Sequence, residues 1–253
     1  MRLTNKISVI SGAAQGLGAA IARRFREEGA FVYVCDVQEE EGRRAASSIA
    51  QAAEGPGGAE FLPLDVTSEQ DWKRVYETVR ARHGRLDVLV NNAGINIRKD
   101  IELMPVEDLE SMLAVNVRGP FLGIKHALPL MRASGGGCIL NMSSICGLIG
   151  HKFTNEAYTM TKGAVTLLGR SIAARYGAAN IRCNNVHPST VDTPLLRRVL
   201  QDPQRRAERL GEIPLGRLAT TADVANAFVY LASDEAAFIN GVSFPVDGGL
   251  TSY

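Results

Sequence analysis

The chain has 253 residues, of which 45% are apolar and 22% charged, with a formal net charge of +1. That apolar share fills a large core and excludes a disordered or fibrous chain, while the dispersed, nearly balanced charges exclude the basic face that nucleic acid requires. No apolar run reaches the roughly 18 residues that span a bilayer, and Met1–Lys6 leads into an apolar strand without a signal-peptide core, so no membrane partner and a cytoplasmic location are expected.

Short β-branched runs alternate with longer segments of helical period along the whole sequence, the pattern of βαβ units. Strands are expected near Lys6–Ile10, Phe31–Asp36, Glu60–Pro63, Val88–Asn91, Cys138–Met142, Arg182–His187 and Val242–Val246. Helices are expected near Leu17–Glu28, Glu39–Ala53, Glu69–His83, Val106–Met131, Ala157–Tyr176 and Thr221–Leu231. No repeat or linker divides the chain, so residues 1–253 are expected to form one doubly wound α/β domain of the Rossmann type, with a mostly parallel sheet and helices on both faces. The segment from Ser189 to Arg217, with Pro194, Pro203 and Pro214, is too long for a plain connection and is expected to be a substrate lid.

The first strand runs into Ser11-Gly12-Ala13-Ala14-Gln15-Gly16-Leu17-Gly18 and then a helix. Small residues there let the backbone approach a pyrophosphate, whose charge the helix N-terminus favours. By itself a glycine-rich turn can serve packing alone; Asp36, at the end of the second strand and about 20 residues beyond the glycines, is the acid expected on the adenosine ribose. A carboxylate there repels a 2′-phosphate, and neither Gln15 nor Val37 supplies a compensating cation, so NAD is expected over NADP.

Further along come Asn91-Asn92-Ala93-Gly94, Asn116, the pair Ser143-Ser144, and Tyr158 followed four residues later by Lys162. In this order and spacing, from the glycine turn to Val246-Asp247-Gly248-Gly249, the chain resembles the short-chain dehydrogenase/reductase family in its classical form. The resemblance implies seven strands in the order 3-2-1-4-5-6-7. It implies catalytic roles for Asn116, Ser144, Tyr158 and Lys162. It also implies cofactor contacts from Gly12, Gln15, Gly16, Leu17 and Gly18, from Asp65 and Val66 beside the adenine, and from Asn92 and Gly94 near the nicotinamide ribose. Val191 and Thr193, after the sixth strand, would meet the carboxamide, and Tyr158 and Lys162 also face the cofactor. The long helices and the last strand would pair copies into a homotetramer.

Three departures stand out. The first turn opens on Ser11 where Thr is commoner; Pro188-Ser189 replaces the usual Pro-Gly; and Ser144 precedes Tyr158 by 14 residues where 13 is common, which places one extra residue in the loop His151–Asn155.

A free phenol has a pKa of about 10 and needs help to act as a base. Lys162 projects from the same helical face as Tyr158, and its ammonium together with an oxidised nicotinamide would stabilise the phenolate. His187 ends a strand with no acid at readable spacing and is expected to be packed. The four cysteines show no metal-ligand spacing, so buried free thiols and no metal site are expected.

The expected activity is NAD-dependent interconversion of a secondary alcohol and a ketone. The alternatives are an NADPH-dependent 3-ketoacyl reductase, disfavoured by Asp36; a nucleotide-binding regulator without turnover, which has no use for the four catalytic residues together; and enoyl reductase chemistry, which resembles relatives with a longer Tyr-to-Lys spacing than the four found here. Leu195, Leu196, Val199 and Leu200 suggest a small, largely nonpolar substrate, with polar points at Asn96, His151 or Asn155.

Overall fold

A computed structural model describes residues 1–193 and 201–252. Seven strands, β1 (Ile7–Ser11), β2 (Phe31–Asp36), β3 (Gly58–Pro63), β4 (Val88–Asn91), β5 (Gly137–Met142), β6 (Ile181–Pro188) and β7 (Ser243–Val246), form one sheet in the order β3-β2-β1-β4-β5-β6-β7. Every pairing is parallel, including β6 with β7.

Helices cover both faces, which is why the strands read as unbroken apolar runs. Alternate residues point to opposite sides: Ile10, Val34, Val90 and Leu140 join Phe25 and Phe228 in one core, while Val9, Tyr33, Leu89 and Ile139 join Trp72 and Leu122 in the other. The first core lies under α1 (Gly16–Glu27), α2 (Glu39–Ala50) and α8 (Thr221–Ala232); the second lies under α3 (Glu69–His83), α5 (Gly119–Ala133) and α6 (Glu156–Tyr176). A further helix, α7 (Pro203–Gly211), belongs to the expected lid. Leu195, Leu196, Val199 and Leu200 lie outside the described residues.

One expected element is divided. The segment read as a single helix from Val106 to Met131 is α4 (Val106–Leu113), a π turn over Ala114–Arg118, and α5. Pro120 lacks the N–H that an α-helix would direct at the carbonyl of Asn116 four residues earlier, and in the widened turn the Gly119 N–H reaches back five residues to Ala114 O. No helix among the described residues is long and apolar enough to cross a membrane. All four cysteines are buried and unbridged.

Candidate active site

The site lies along the carboxyl ends of the strands, where an open parallel sheet leaves loops free to converge. At β1 the turn into α1 is shaped by three glycines with different constraints. Gly12 and Gly16 hold φ of 64° and 59°, the left-handed region that disfavours side chains. Gly18 is required by contact: a Cβ there would sit 2.1 Å from Gly12 O. Gln15 precedes α1 without capping it through its side chain, so the helix presents uncapped N–H groups beside the open space over Gly16. Ser11 ties this turn to the next strand. Its Oγ accepts from Asn92 N at 3.1 Å and Ala93 N at 3.2 Å, while Asn92 Nδ2 donates to Ser11 O and Gly12 O. The hydroxyl that Ser shares with Thr makes these bonds.

Asp36 is 7% exposed at the tip of β2; its Oδ2 accepts from Ala14 N at 3.0 Å and its Oδ1 from Gln38 N at 3.1 Å. The carboxylate is thus fixed beside the turn, and the first turn of α2 adds Glu39, Glu40 and Glu41 nearby in the chain. Asp65 Oδ1 accepts from the Thr67 amide and hydroxyl, and Val66 is buried with its carbonyl accepting from Trp72 Nε1.

At the other end, Asn155 caps α6 by accepting from Tyr158 N at 2.8 Å. Lys162, one turn on, is buried; its Nζ donates to Met142 O at 2.8 Å and lies 5.5 Å from the centroid of the Tyr158 ring. Gly94 comes close to this pair, since a Cβ on it would be 3.5 Å from Lys162 Nζ and 3.4 Å from Asn116 Oδ1. Asn116 itself is held in the π turn: Oδ1 accepts from Ile95 N, and Nδ2 donates to Ile95 O and Thr161 Oγ1.

The adjacent serines diverge. Ser144 begins a short 3-10 turn, where its Oγ accepts from Cys146 N at 3.2 Å and lies close enough to the Tyr158 phenol to favour its ionised form. Ser143 turns the other way and is buried, with Oγ bonded to Lys162 O and Thr166 Oγ1. Burial pushes the Tyr158 phenol well above its ordinary value, and the nearby Ser144 hydroxyl and the charge of Arg98 pull it down. Burial lowers the Lys162 ammonium to about 8.

Leu17, Ser144, Tyr158, Val191 and Thr193 line one cavity of about 710 Å³. Lys162 and Asn116 stand behind Tyr158, and Asp36 and Asp65 lie beyond the cavity wall. The residues fit a nicotinamide dinucleotide: a turn that side chains on Gly12 and Gly18 would fill, uncapped amides at its end, and a fixed acid beside it. Of the expected polar points, Asn155 Nδ2 donates to Asn96 Oδ1, and His151 pairs with Thr154 and Glu212. The sequence pattern did not single out Arg98, Lys152 or Arg209 in the lining, nor the role of His187, whose Nδ1 contacts Ser144 O.

A family model described as Enoyl-(Acyl carrier protein) reductase matches residues 12–251. The chain is 39% identical over 251 residues to cyclopentanol dehydrogenase of Comamonas testosteroni, covering 99% of each. It is 40% identical over 254 residues to trans-4-hydroxycyclohexanecarboxylate dehydrogenase of Sinomonas cyclohexanicum, covering 99% of this chain and 95% of that one. Among solved structures, one described as a "putative NAD(P) dependent gluconate 5-dehydrogenase" from Beutenbergia cavernae, with NADP bound at low occupancy, superposes with a TM-score of 0.92 at 31% identity, covering 99% and 98% of the two chains. Sheet order, site geometry and these likenesses together place the chain in the short-chain dehydrogenase/reductase family, in its classical form.

Proposed function

We propose that the chain is an NAD-dependent dehydrogenase that interconverts a ring-borne secondary alcohol and its ketone, with Tyr158 as the base and acid. The observation that carries this is the pairing of Tyr158 and Ser144 at the cavity wall with Lys162 buried behind the phenol. A nicotinamide dinucleotide held by the Gly12–Gly18 turn supplies the hydride acceptor or donor. The alcohol loses its O–H proton to the Tyr158 oxygen as its C–H hydride leaves, and the ketone forms; the reverse direction returns both. Ser144 positions the substrate oxygen beside the phenol, and Lys162 places a positive charge under the ring.

Since burial alone raises the phenol, Tyr158 becomes a base only where cations offset that cost, and an oxidised nicotinamide adds one more. The Asn116 carbonyl, left without an α-helical donor by Pro120, is suited to hold a water that connects Lys162 with solvent. Two relatives named for cyclic alcohols support the substrate class. The four-residue spacing of Tyr158 and Lys162 favours carbonyl over enoyl chemistry. The fixed carboxylate of Asp36 favours NAD. Exposed Phe121 and Leu167 on α5 and α6, beside an apolar groove that includes Leu128 and Ile172, support a homotetramer. A cytoplasmic location and one domain spanning the chain complete the reading. A screen of cyclic secondary alcohols with NAD, followed by NADH absorbance, should show turnover that Tyr158→Phe lowers by about a thousandfold or more; no turnover of any member would overturn the reading.

A further inference from the structure

The cavity wall above Tyr158 collects positive charge from parts of the chain that are far apart in sequence. Arg98 follows β4 in a segment held to the start of α6, because Asn155 Nδ2 donates to Asn96 Oδ1 at 2.7 Å and to Ile97 O at 3.1 Å. The residue that caps Tyr158's helix thereby fixes where Arg98 leaves the backbone. Arg209 reaches the same cavity from α7: its Nη2 donates to Phe153 O at 2.9 Å and its guanidinium lies 4.5 Å from the centroid of the Phe153 ring. Lys152 approaches the same ring, with Nζ 4.7 Å from its centroid.

These charges are poorly matched within the protein. Arg98 has no hydrogen bond or acid partner among the described residues, although it lines the cavity beside the catalytic pair. Arg209 has Glu212 at 3.6 Å. The acids in the lining, Asp100, Glu156 and Glu208, make no ion pair with either arginine. Arg98 and Arg209 are near enough for the charge of one to make the other harder to protonate, and Arg98 also acts on the Tyr158 phenol. With Arg209 offset by Glu212, Arg98 is the guanidinium at the pocket mouth left without an acid partner among the described residues, which suits an anionic group on the substrate. A carboxylate placed between two guanidinium groups replaces their repulsion with charge-assisted hydrogen bonds.

We propose that the alcohol oxidised here carries a carboxylate, held by Arg98 and Arg209 while the hydroxyl meets Tyr158 and Ser144. The proposal rests on the secondary-alcohol reading above and narrows its substrate class. It also gives Phe153 a task, that of a platform keeping the Arg209 guanidinium turned toward the cavity.

The test compares a hydroxycyclohexane carboxylate with its primary carboxamide, which keeps the shape and removes the charge. With NAD, the acid should exceed the amide in kcat/KM by about tenfold or more, and Arg98→Gln should reduce that preference by at least about tenfold, chiefly through KM. In parallel, calorimetry follows unreactive cyclohexanecarboxylate binding to the NAD-loaded protein. Its Kd should rise about tenfold in Arg98→Gln, a variant that breaks no hydrogen bond or ion pair among the described residues, and likewise in Arg209→Gln. Equal turnover of acid and amide, or carboxylate binding unaffected by Arg98→Gln, would overturn the proposal. Failure of every alcohol with NAD would instead strike the underlying reading, and the binding measurement would still decide whether the anion site exists.

Discussion

The buried imidazole of His187 donates from Nδ1 to the backbone carbonyl of Ser144 across 2.7 Å. Its Nε2 is also buried and has no hydrogen-bond partner among the described residues, and burial lowers the ring's pKa, so the neutral form is held in place. The histidine at the end of β6 therefore acts on the serine at the end of β5 through the main chain.

His187→Phe keeps the bulk and removes the donor, leaving the Ser144 carbonyl without this partner. A loss of about 1–3 kcal/mol in stability is expected from the unpaired group, together with a fall in kcat of roughly tenfold as Ser144 loses its fixed position. Thermal unfolding and steady-state kinetics measure the two effects. A variant as active and as stable as the parent would remove His187 from any positioning role.

The two serines should separate cleanly. Ser144→Ala removes the hydroxyl that faces the cavity beside the Tyr158 phenol and should lower kcat by about 100-fold or more, as loss of a transition-state hydrogen bond does. Ser143→Ala removes bonds to Lys162 O and Thr166 Oγ1 on α6 and should cost about 1 kcal/mol of stability with far less effect on turnover. The opposite ranking in kcat, with folding intact, would exchange their roles.

Cofactor choice is expected to turn on Asp36. With its carboxylate fixed by Ala14 N and Gln38 N, kcat/KM for NAD should exceed that for NADP by at least about tenfold. Asp36→Ala should narrow the ratio mainly by improving NADP. Equal use of both cofactors by the unaltered enzyme would contradict this assignment.

The Lys162 ammonium gives a pH signature of opposite sign to the usual carboxylate. Burial holds it at about 8, against 10.5 for an ordinary lysine. Between these values the unfolded chain keeps a proton that the folded chain has released, so stability contributed by this group rises with pH from about 8 to 10.5. Below that window the folded protein carries the full cost of a buried charge. Lys162→Met should therefore be the more stable form near neutral pH, by an amount on the order of 1–3 kcal/mol, and the difference should shrink as pH rises through the window. Unfolding curves of both proteins without cofactor measure this, and a pH-independent difference would show that the ammonium is not desolvated.

Much of this architecture is legible in the sequence because both faces of the sheet are buried, so β-branched runs such as Val32–Cys35 and Val88–Val90 mark strands to within a residue or two. The break between α4 and α5 is hidden from periodicity, since a π turn shifts the helical phase without interrupting the apolar pattern; Pro120 is its one local sign. Asp36, Tyr158 and Lys162 stand out as candidates in the sequence because each keeps a fixed offset from a motif within its own segment. Arg98, Lys152 and Arg209 were not, because they come from three separate segments and meet only when the chain folds. Asn155 shows the same limit: a candidate substrate contact by position, it is engaged in capping Tyr158's helix and holding the Asn96 segment.

β1 and β4 are neighbours in the sheet although some 80 residues separate them. Everything expected to grip the adenosine half of the cofactor hangs from β1, β2 and β3, and everything expected to meet the reacting carbon follows β4, β5 and β6, the two joined by the small clasp of Ser11 and Asn92. A lineage built on this sheet can exchange its appetite for NAD or NADP at one edge, and its alcohol at the other, as nearly independent inheritances. Change at the clasp itself would disturb both at once.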